Sequence, residues 1–330
     1  MTLRLLTRRR LLTGTAAVSA AAILPRAARA AGEWRPTENV RIIVPAAIGG
    51  STDVMGRLLA QHLQTAWDKP VVVENRSGAG GTIGTAAVVK ADADGYNILA
   101  QSSALSIAPA IYPKLSFDIT KDLSSALMIG VSANVMIVPV SRPWKTVQDF
   151  LADAKARPGS IVFGSVGVGS ATHISAEKFR LAAGIETTHV PYRGGAEVIA
   201  DILGGRIDFY FCPLATALPL IKEGRVRALV ISTAKRVTDL PDVPTPAEAG
   251  LKNAESMFWL GVFMPAKTPR DIIDKFHDAG IKLLAEPSMQ ENLMKLGVEP
   301  FPMTPAEMDA FVAREIDENL VLIKAAGIKP

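Results

Sequence analysis

The chain has 330 residues, is 48% hydrophobic and 21% charged, and carries a formal charge of +4. Six arginines and no acid fall in the first 30 residues, so the rest of the chain carries −2 (+4 less 6), and nothing points to a nucleic-acid partner. The single cysteine, Cys212, excludes an internal disulfide, and the length suffices for two packed domains.

The first segment reads as a targeting signal. Thr7–Leu12 (TRRRLL) joins consecutive arginines to leucines, Leu11–Leu24 is apolar, and Ala28-Arg29-Ala30 offers small residues for cleavage. That apolar stretch is 14 residues, shorter than the ~20 of a spanning helix, and no cysteine stands near the cleavage point for a lipid anchor. Residues 1–30 thus read as a twin-arginine signal peptide, cleaved near Ala30, and the mature protein as periplasmic.

Beyond the signal, short β-branched runs alternate with helical patterns. Strands are expected at 40–46, 71–75, 97–101, 134–140, 161–165, 187–192, 208–211, 226–232 and 260–265. Helices are expected at 54–67, 84–91, 146–156, 173–184, 195–205, 270–286, 288–297 and 305–327. This rhythm predicts an α/β fold with parallel sheets.

Three glycine-rich turns each follow an apolar run and precede a helical pattern: AAIGGSTD (Ala46–Asp53), NRSGAGGTIG (Asn75–Gly84) and GSVGVGSATH (Gly164–His173). Such a turn leaves backbone N–H groups without partners at a helix N-terminus, where the helix dipole adds partial positive charge. The spot suits an anion. In the second turn the spacing G-x-G-x-x-x-G is one residue longer than the dinucleotide fingerprint. The order of the turns predicts two domains around one cleft, residues 31–130 plus 233–330 and residues 131–232, with crossings near Gly130 and Thr233. An exported enzyme is the rival reading. Against it, there is no G-x-S-x-G elbow and no cysteine–histidine nucleophile pattern, and none of the four histidines pairs at metal-ligand spacing, so neither metal nor cofactor is expected.

Taken together, these segments resemble the extracytoplasmic solute receptors of tripartite tricarboxylate transporters, the Bug or TctC-like family. VPAAIGGSTDVMGRLLA resembles the family's first loop, with Pro45, Gly49, Gly50, Asp53 and Arg57 fitting and Ala47 and Ile48 departing from it. VVVENRSGAGGTIGTAAVVKADADGYNILA, GSVGVGSATHISAEKF, VPYRGGAEVIADILGGRIDFYF and VRALVISTAKRVTDLPDVPTPAEAGL follow in the family's order. The resemblance implies a type II periplasmic binding-protein fold, two α/β domains closing on a ligand. It also implies a small carboxylate as ligand, membrane permease subunits as partners, and neither catalysis nor cofactor. A monomer is expected.

The candidate ligand-binding positions follow. In the first turn they are Ile48, Gly49, Gly50, Ser51, Thr52 and Asp53. Backbone and hydroxyl donors would face the anion there, and Asp53 reads as the helix N-cap, because its carboxylate would repel an anion. The plain alternative is a capped strand-to-helix turn. Ala79 and Gly80 would approach the cleft, or simply shape a turn. Ser102 and Ser103 would present hydroxyls, or cap the next turn. In the third turn, Gly169, Ser170, Ala171 and Thr172 form the counterpart, with Ser170 and Thr172 as side-chain donors and His173 as support. Arg193 and Gly194 open another helix, and Arg193 could balance a second carboxylate. Asp208 could receive a ligand amine or hydroxyl, or cap a strand. Many relatives place an acid near Cys212. Its replacement here, next to Phe211 and with Phe258 and Trp259 adding apolar area near the interdomain crossing, favours an apolar or aromatic acid over an amino acid. The alternative for Phe211 and Cys212 is the core.

Overall fold

The computed structural model describes residues 35–328 apart from Ala47 and Pro113; residues 1–30, expected to be a signal peptide, lie outside the described residues. Two sheets organise the chain. The first has six strands in the order β11-β4-β10-β3-β1-β2, and the second five in the order β7-β6-β8-β5-β9. In the first sheet, β1 (Val40–Val44), β2 (Val71–Asn75) and β3 (Asn97–Ser102) run parallel. β10 (Phe258–Pro265) lies antiparallel between β3 and β4 (Leu123–Ser132), and β11 (Val298–Glu299) closes the edge. In the second sheet, β6 (Ile161–Ser165), β7 (Thr187–Pro191) and β8 (Phe209–Pro213) run parallel, while β5 (Asn134–Pro139) lies antiparallel between β8 and β9 (Val226–Ile231). Both sheets are therefore mixed rather than wholly parallel: β10 and β11 run against the rest of the first sheet, and β5 against the rest of the second.

Helices follow the parallel strands, as crossover connections require: α1 (Ser51–Trp67) after β1, α2 (Thr82–Val89) after β2 and α3 (Ala104–Ile111) after β3. Next in the chain are α4 (Ile119–Asp122) ahead of β4 and α5 (Val147–Ala156) ahead of β6. In the second half come α6 (Ala171–Ala183) after β6, α7 (Gly195–Leu203) after β7 and α8 (Leu214–Lys222) after β8. The chain ends in α9 (Arg270–Leu284), α10 (Pro287–Lys295) and α11 (Pro305–Ala326). Parallel strands put their carboxyl ends on a common edge, so the loops after β1, β2 and β3 share one rim and those after β6, β7 and β8 share another.

The chain passes from β4 to β5 through Ala133 alone and returns from β9 to β10 through residues 232–257. Buried polar groups stitch the two crossings together. The Asn134 N–H donates to Ser232 Oγ (3.0 Å), the Ser232 N–H to Asn134 O (2.7 Å) and Ser232 Oγ to Ser256 O (2.8 Å). Asn134 Nδ2 also donates to Ser175 Oγ on α6 (3.0 Å), which lies 2.6 Å from Ser256 Oγ. Core clusters sit on both faces of the second sheet: Phe150, Phe163, Phe179, Phe209 and Phe211 on one, and Val135, Ile137, Tyr210 and Cys212 on the other.

Candidate functional site

The first turn leads from β1 into α1, and Gly50 is the N-cap, extended at φ −74°, with no side chain to offer. Asp53 is thus not the cap expected from the sequence. It stands at the third helical position and reaches backwards: Oδ2 accepts the N–H of Gly49 (2.8 Å) and Nε of Arg57 (3.1 Å), and Oδ1 accepts Nδ2 of Asn75 (2.8 Å). Burial raises the Asp53 pKa, but the bonds from Arg57, Gly49 and Asn75 outweigh it and hold the carboxyl below its usual range. The first intrahelical bond runs from Val54 N–H to Gly50 O, so the amides of Ser51, Thr52 and Asp53 precede the helical ladder. Ile48 is 77% exposed at the tip of the turn.

The second turn packs against the first and towards the third. Gly81 has φ +91°, and a Cβ there would lie 3.2 Å from Pro45 Cβ and 2.5 Å from Gln101 Nε2. Ala79 (φ +46°) and Gly80 (φ +63°) also take left-handed conformations, and a Cβ on Gly80 would meet the Tyr112 ring at 2.8 Å. On the other side, a Cβ on Gly169 would run into Ile111 Cδ1, with Ile107 behind it. Consecutive residues at the end of α3 therefore touch two different turns: Tyr112 the second, Ile111 the third. Through Pro45, Tyr112 and Ile111 the three glycine turns meet in one place. Sequence reasoning passed over Gln101, Ile111 and Tyr112, since no local motif marks them.

The third turn satisfies much of its own polarity. Ser170 is the N-cap of α6; its Oγ accepts the His173 N–H (3.3 Å) and donates to Gly167 O (2.7 Å). Thr172 Oγ1 accepts the Val166 N–H (3.1 Å), and His173 Nδ1 accepts the Gly169 N–H (3.1 Å). The hydroxyls named as donors are thus committed within the turn. The Ala171 and Thr172 amides precede the first helical bond, Ile174 N–H to Ser170 O. At α7 the cap is Gly194, again without a side chain; Glu197 Oε2 accepts the N–H of exposed Arg193 (3.2 Å), and the amides of Gly195 and Ala196 lead the helix. One arrangement therefore recurs: a side chain at the third helical position holds the amide just before the cap. Asp53 does so at α1, His173 at α6 and Glu197 at α7.

The model of the tripartite tricarboxylate transporter family receptor matches residues 55–328. The chain belongs to this receptor family. It is similar to the periplasmic binding protein BugD, at 31% identity and a TM-score of 0.77 over 89% of this chain and 99% of that one. It is also similar to Rpa4515 of R. palustris, solved with adipate (33%, TM-score 0.79, 89% and 99%). A third similar structure is MatC of Rhodopseudomonas palustris, with bound malate (27%, TM-score 0.76, 87% and 99%). The two-sheet α/β architecture is that of these binding proteins.

Four of the candidate side chains stand apart from the receptor's turns. Asp208 precedes β8, so it sits at the amino edge of the second sheet, opposite the rim that carries the third turn. There it pairs with Arg142 (2.5 Å) and accepts the Val162 N–H (2.8 Å), which is structural work for the sheet edge. Phe211, Cys212 and Trp259 are buried in core clusters, and burial pushes the Cys212 thiol well up. Trp259 Nε1 donates to Glu315 Oε2 (2.6 Å), which also accepts from Ser106 Oγ (3.0 Å). Ser102 and Ser103 are buried as well. The Ser102 N–H goes to Gln101 Oε1, and Ser103 faces a cavity of about 20 Å³ beside Ser106, Lys178 and Glu315. Among the described residues, no group of three His, Cys, Asp or Glu could hold a metal ion, and no helix is long and apolar enough to cross a membrane.

Proposed function

We propose that the chain is an exported, non-catalytic receptor. Residues 1–30 act as a twin-arginine signal peptide, and the periplasmic protein captures a small carboxylate, either a di- or tricarboxylate or an aromatic acid. It then delivers the ligand to the membrane permease subunits of a tripartite tricarboxylate transporter. The observation that carries this reading is the meeting of three glycine turns through Pro45, Ile111 and Tyr112, with leading helix amides at Ser51, Thr52, Ala171 and Thr172. Leading amides plus the helix dipole favour an anion on each side. Residues 31–130 with 233–330 form one lobe and residues 131–232 the other. The monomer closes because an anion shared between lobes gains donors that the open form lacks. Relatives solved with adipate and malate support the carboxylate class.

The test is a thermal-shift and calorimetry screen of the mature protein with adipate, malate, citrate, benzoate and nucleotides. One or more carboxylates should raise Tm in a concentration-dependent way. Stabilisation by nucleotides alone overturns the reading.

A further inference from the structure

Two histidines underlie the third turn. His173 on α6 and His189 on β7 stack with ring centroids 3.9 Å apart and planes 11° apart, and His189 stacks on Phe163 at 4.7 Å. Each ring holds one glycine of the turn. His173 Nδ1 accepts the Gly169 N–H directly (3.1 Å). His189 Nε2 shares a hydrogen bond with Ser165 Oγ (2.7 Å), and that hydroxyl bonds both the N–H and the carbonyl of Gly167 (3.1 Å each). Because Gly169 donates to Nδ1, the His173 proton sits on Nε2, which faces Glu177 Oε1 at 3.9 Å.

We propose that the stacked His173–His189 pair is the positioning device of the third turn: by gripping Gly167 and Gly169 it fixes where the Ala171 and Thr172 amides point, and the hold on Gly169 lasts only while His173 is neutral. The inference rests on the carboxylate-receptor reading of that turn. A protonated His173 would carry a hydrogen on Nδ1 and could no longer accept from Gly169. Two imidazolium rings 3.9 Å apart against Phe163 would repel each other in apolar surroundings. The charged groups facing the pair are Glu177 and Arg180 of α6, which bind each other (2.6 and 2.8 Å); β6 faces it with Phe163 and Ser165. Burial, and then the neighbouring His189 and Arg180, bring His173 down to about 3, and burial brings His189 down to about 4. The grip therefore persists through mildly acidic conditions.

The experiment compares the full mature chain with His173→Leu, His173→Gln and His189→Phe, first confirming by circular dichroism that each folds. Hydrogen exchange of the Gly169 amide by NMR and calorimetric affinity for adipate and malate are measured from pH 7 to pH 4. His173→Leu removes the acceptor but keeps the bulk. It should speed Gly169 exchange and weaken binding about tenfold, the scale of one lost hydrogen bond. His173→Gln restores an acceptor that does not titrate, so it should recover most of the affinity. Its affinity relative to wild type should stay level from pH 7 to pH 4, because His173 remains neutral in the fold over that range; the ratio cancels the ligand's own titration. His189→Phe keeps the stack and should loosen Gly167 more than Gly169. If wild type binds a carboxylate while His173→Leu leaves affinity and Gly169 exchange unchanged, the positioning role is overturned. If neither acid binds wild type, the receptor reading is in difficulty, and Gly169 exchange in His173→Leu still decides the role of the ring.

Discussion

The first and third glycine turns use the same backbone device with opposite electrostatics. In both, the residue at the third helical position holds the amide before the cap: Asp53 for Gly49, His173 for Gly169. Asp53 brings a full negative charge to a helix start that could receive an anion, and Arg57 and Asn75 are needed to offset it. His173 brings none, and it lies in an aromatic stack with the mutually paired Glu177 and Arg180 beside it. A turn can therefore be locked either by a neutralised carboxylate or by an imidazole kept neutral. The second way leaves the helix dipole unopposed, so on the proposed receptor reading α6 would be the stronger seat for the ligand's charge.

The comparison can be broken at several points. Asp53→Ala frees Arg57, Asn75 and the Gly49 amide at once and should cost ~2–3 kcal/mol in urea unfolding, the range for hydrogen bonds to a charged group; a loss below ~0.5 kcal/mol would mean that the cluster does not hold the first turn. Acid should separate the two turns next. His173 titrates at about 3 in the fold against 6.5 ordinarily, so between those values the unfolded chain binds the extra proton. Its contribution is complete above pH 6.5 and declines as pH falls, by up to ~1.4 kcal/mol per unit. Asp53, held below 3.8, loses its contribution only below that value. Stability of His173→Gln should thus be flatter than wild type between pH 6.5 and 4, and equal slopes would contradict the stacked-neutral picture. Proline at the first helical position removes an amide while suiting the helix and the extended residue before it. Ala171→Pro should therefore weaken adipate or malate binding about tenfold and Ser51→Pro less, as calorimetry will report; the reverse order would make α1 the principal seat. Smallest in effect, Ser170→Ala should lower stability by ~1 kcal/mol through loss of its cap.

How far the sequence carried this reading depends on the element. The strands with β-branched runs, VRIIV, VVVEN and VRALVI, were legible because pattern and burial agree. The strand Leu123–Ser132 was not: LSSALMIGVS is buried almost throughout, shows no alternation, and its Ala, Leu and Met suit a helix equally well. α3 and α8 were passed over because Pro109 and Pro219 lie inside them, and proline argues against a helix interior. At the site, glycine spacing revealed the turns because close packing and positive φ both demand glycine there. It could not reveal that Gly49 and Gly169 spend their amides on Asp53 and His173, since a glycine that serves a ligand and one that serves its own helix look alike in one dimension. Asp208 misled for a related reason: the two ends of a five-residue strand such as Phe209–Pro213 are close in the chain but lie on opposite edges of the sheet.

The stitching of Asn134, Ser175, Ser232 and Ser256 has a mechanical consequence. Ser175 lies about one turn and a half along α6 from Ser170, so one helix has its start in the third glycine turn and its second turn bonded to both crossing segments. Small hydroxyls and an amide can exchange partners at little cost when such a joint rocks, whereas interlocked hydrocarbon would have to be pulled apart. Were the lobes to close as proposed, events at the tip of α6 would be geared directly to this joint.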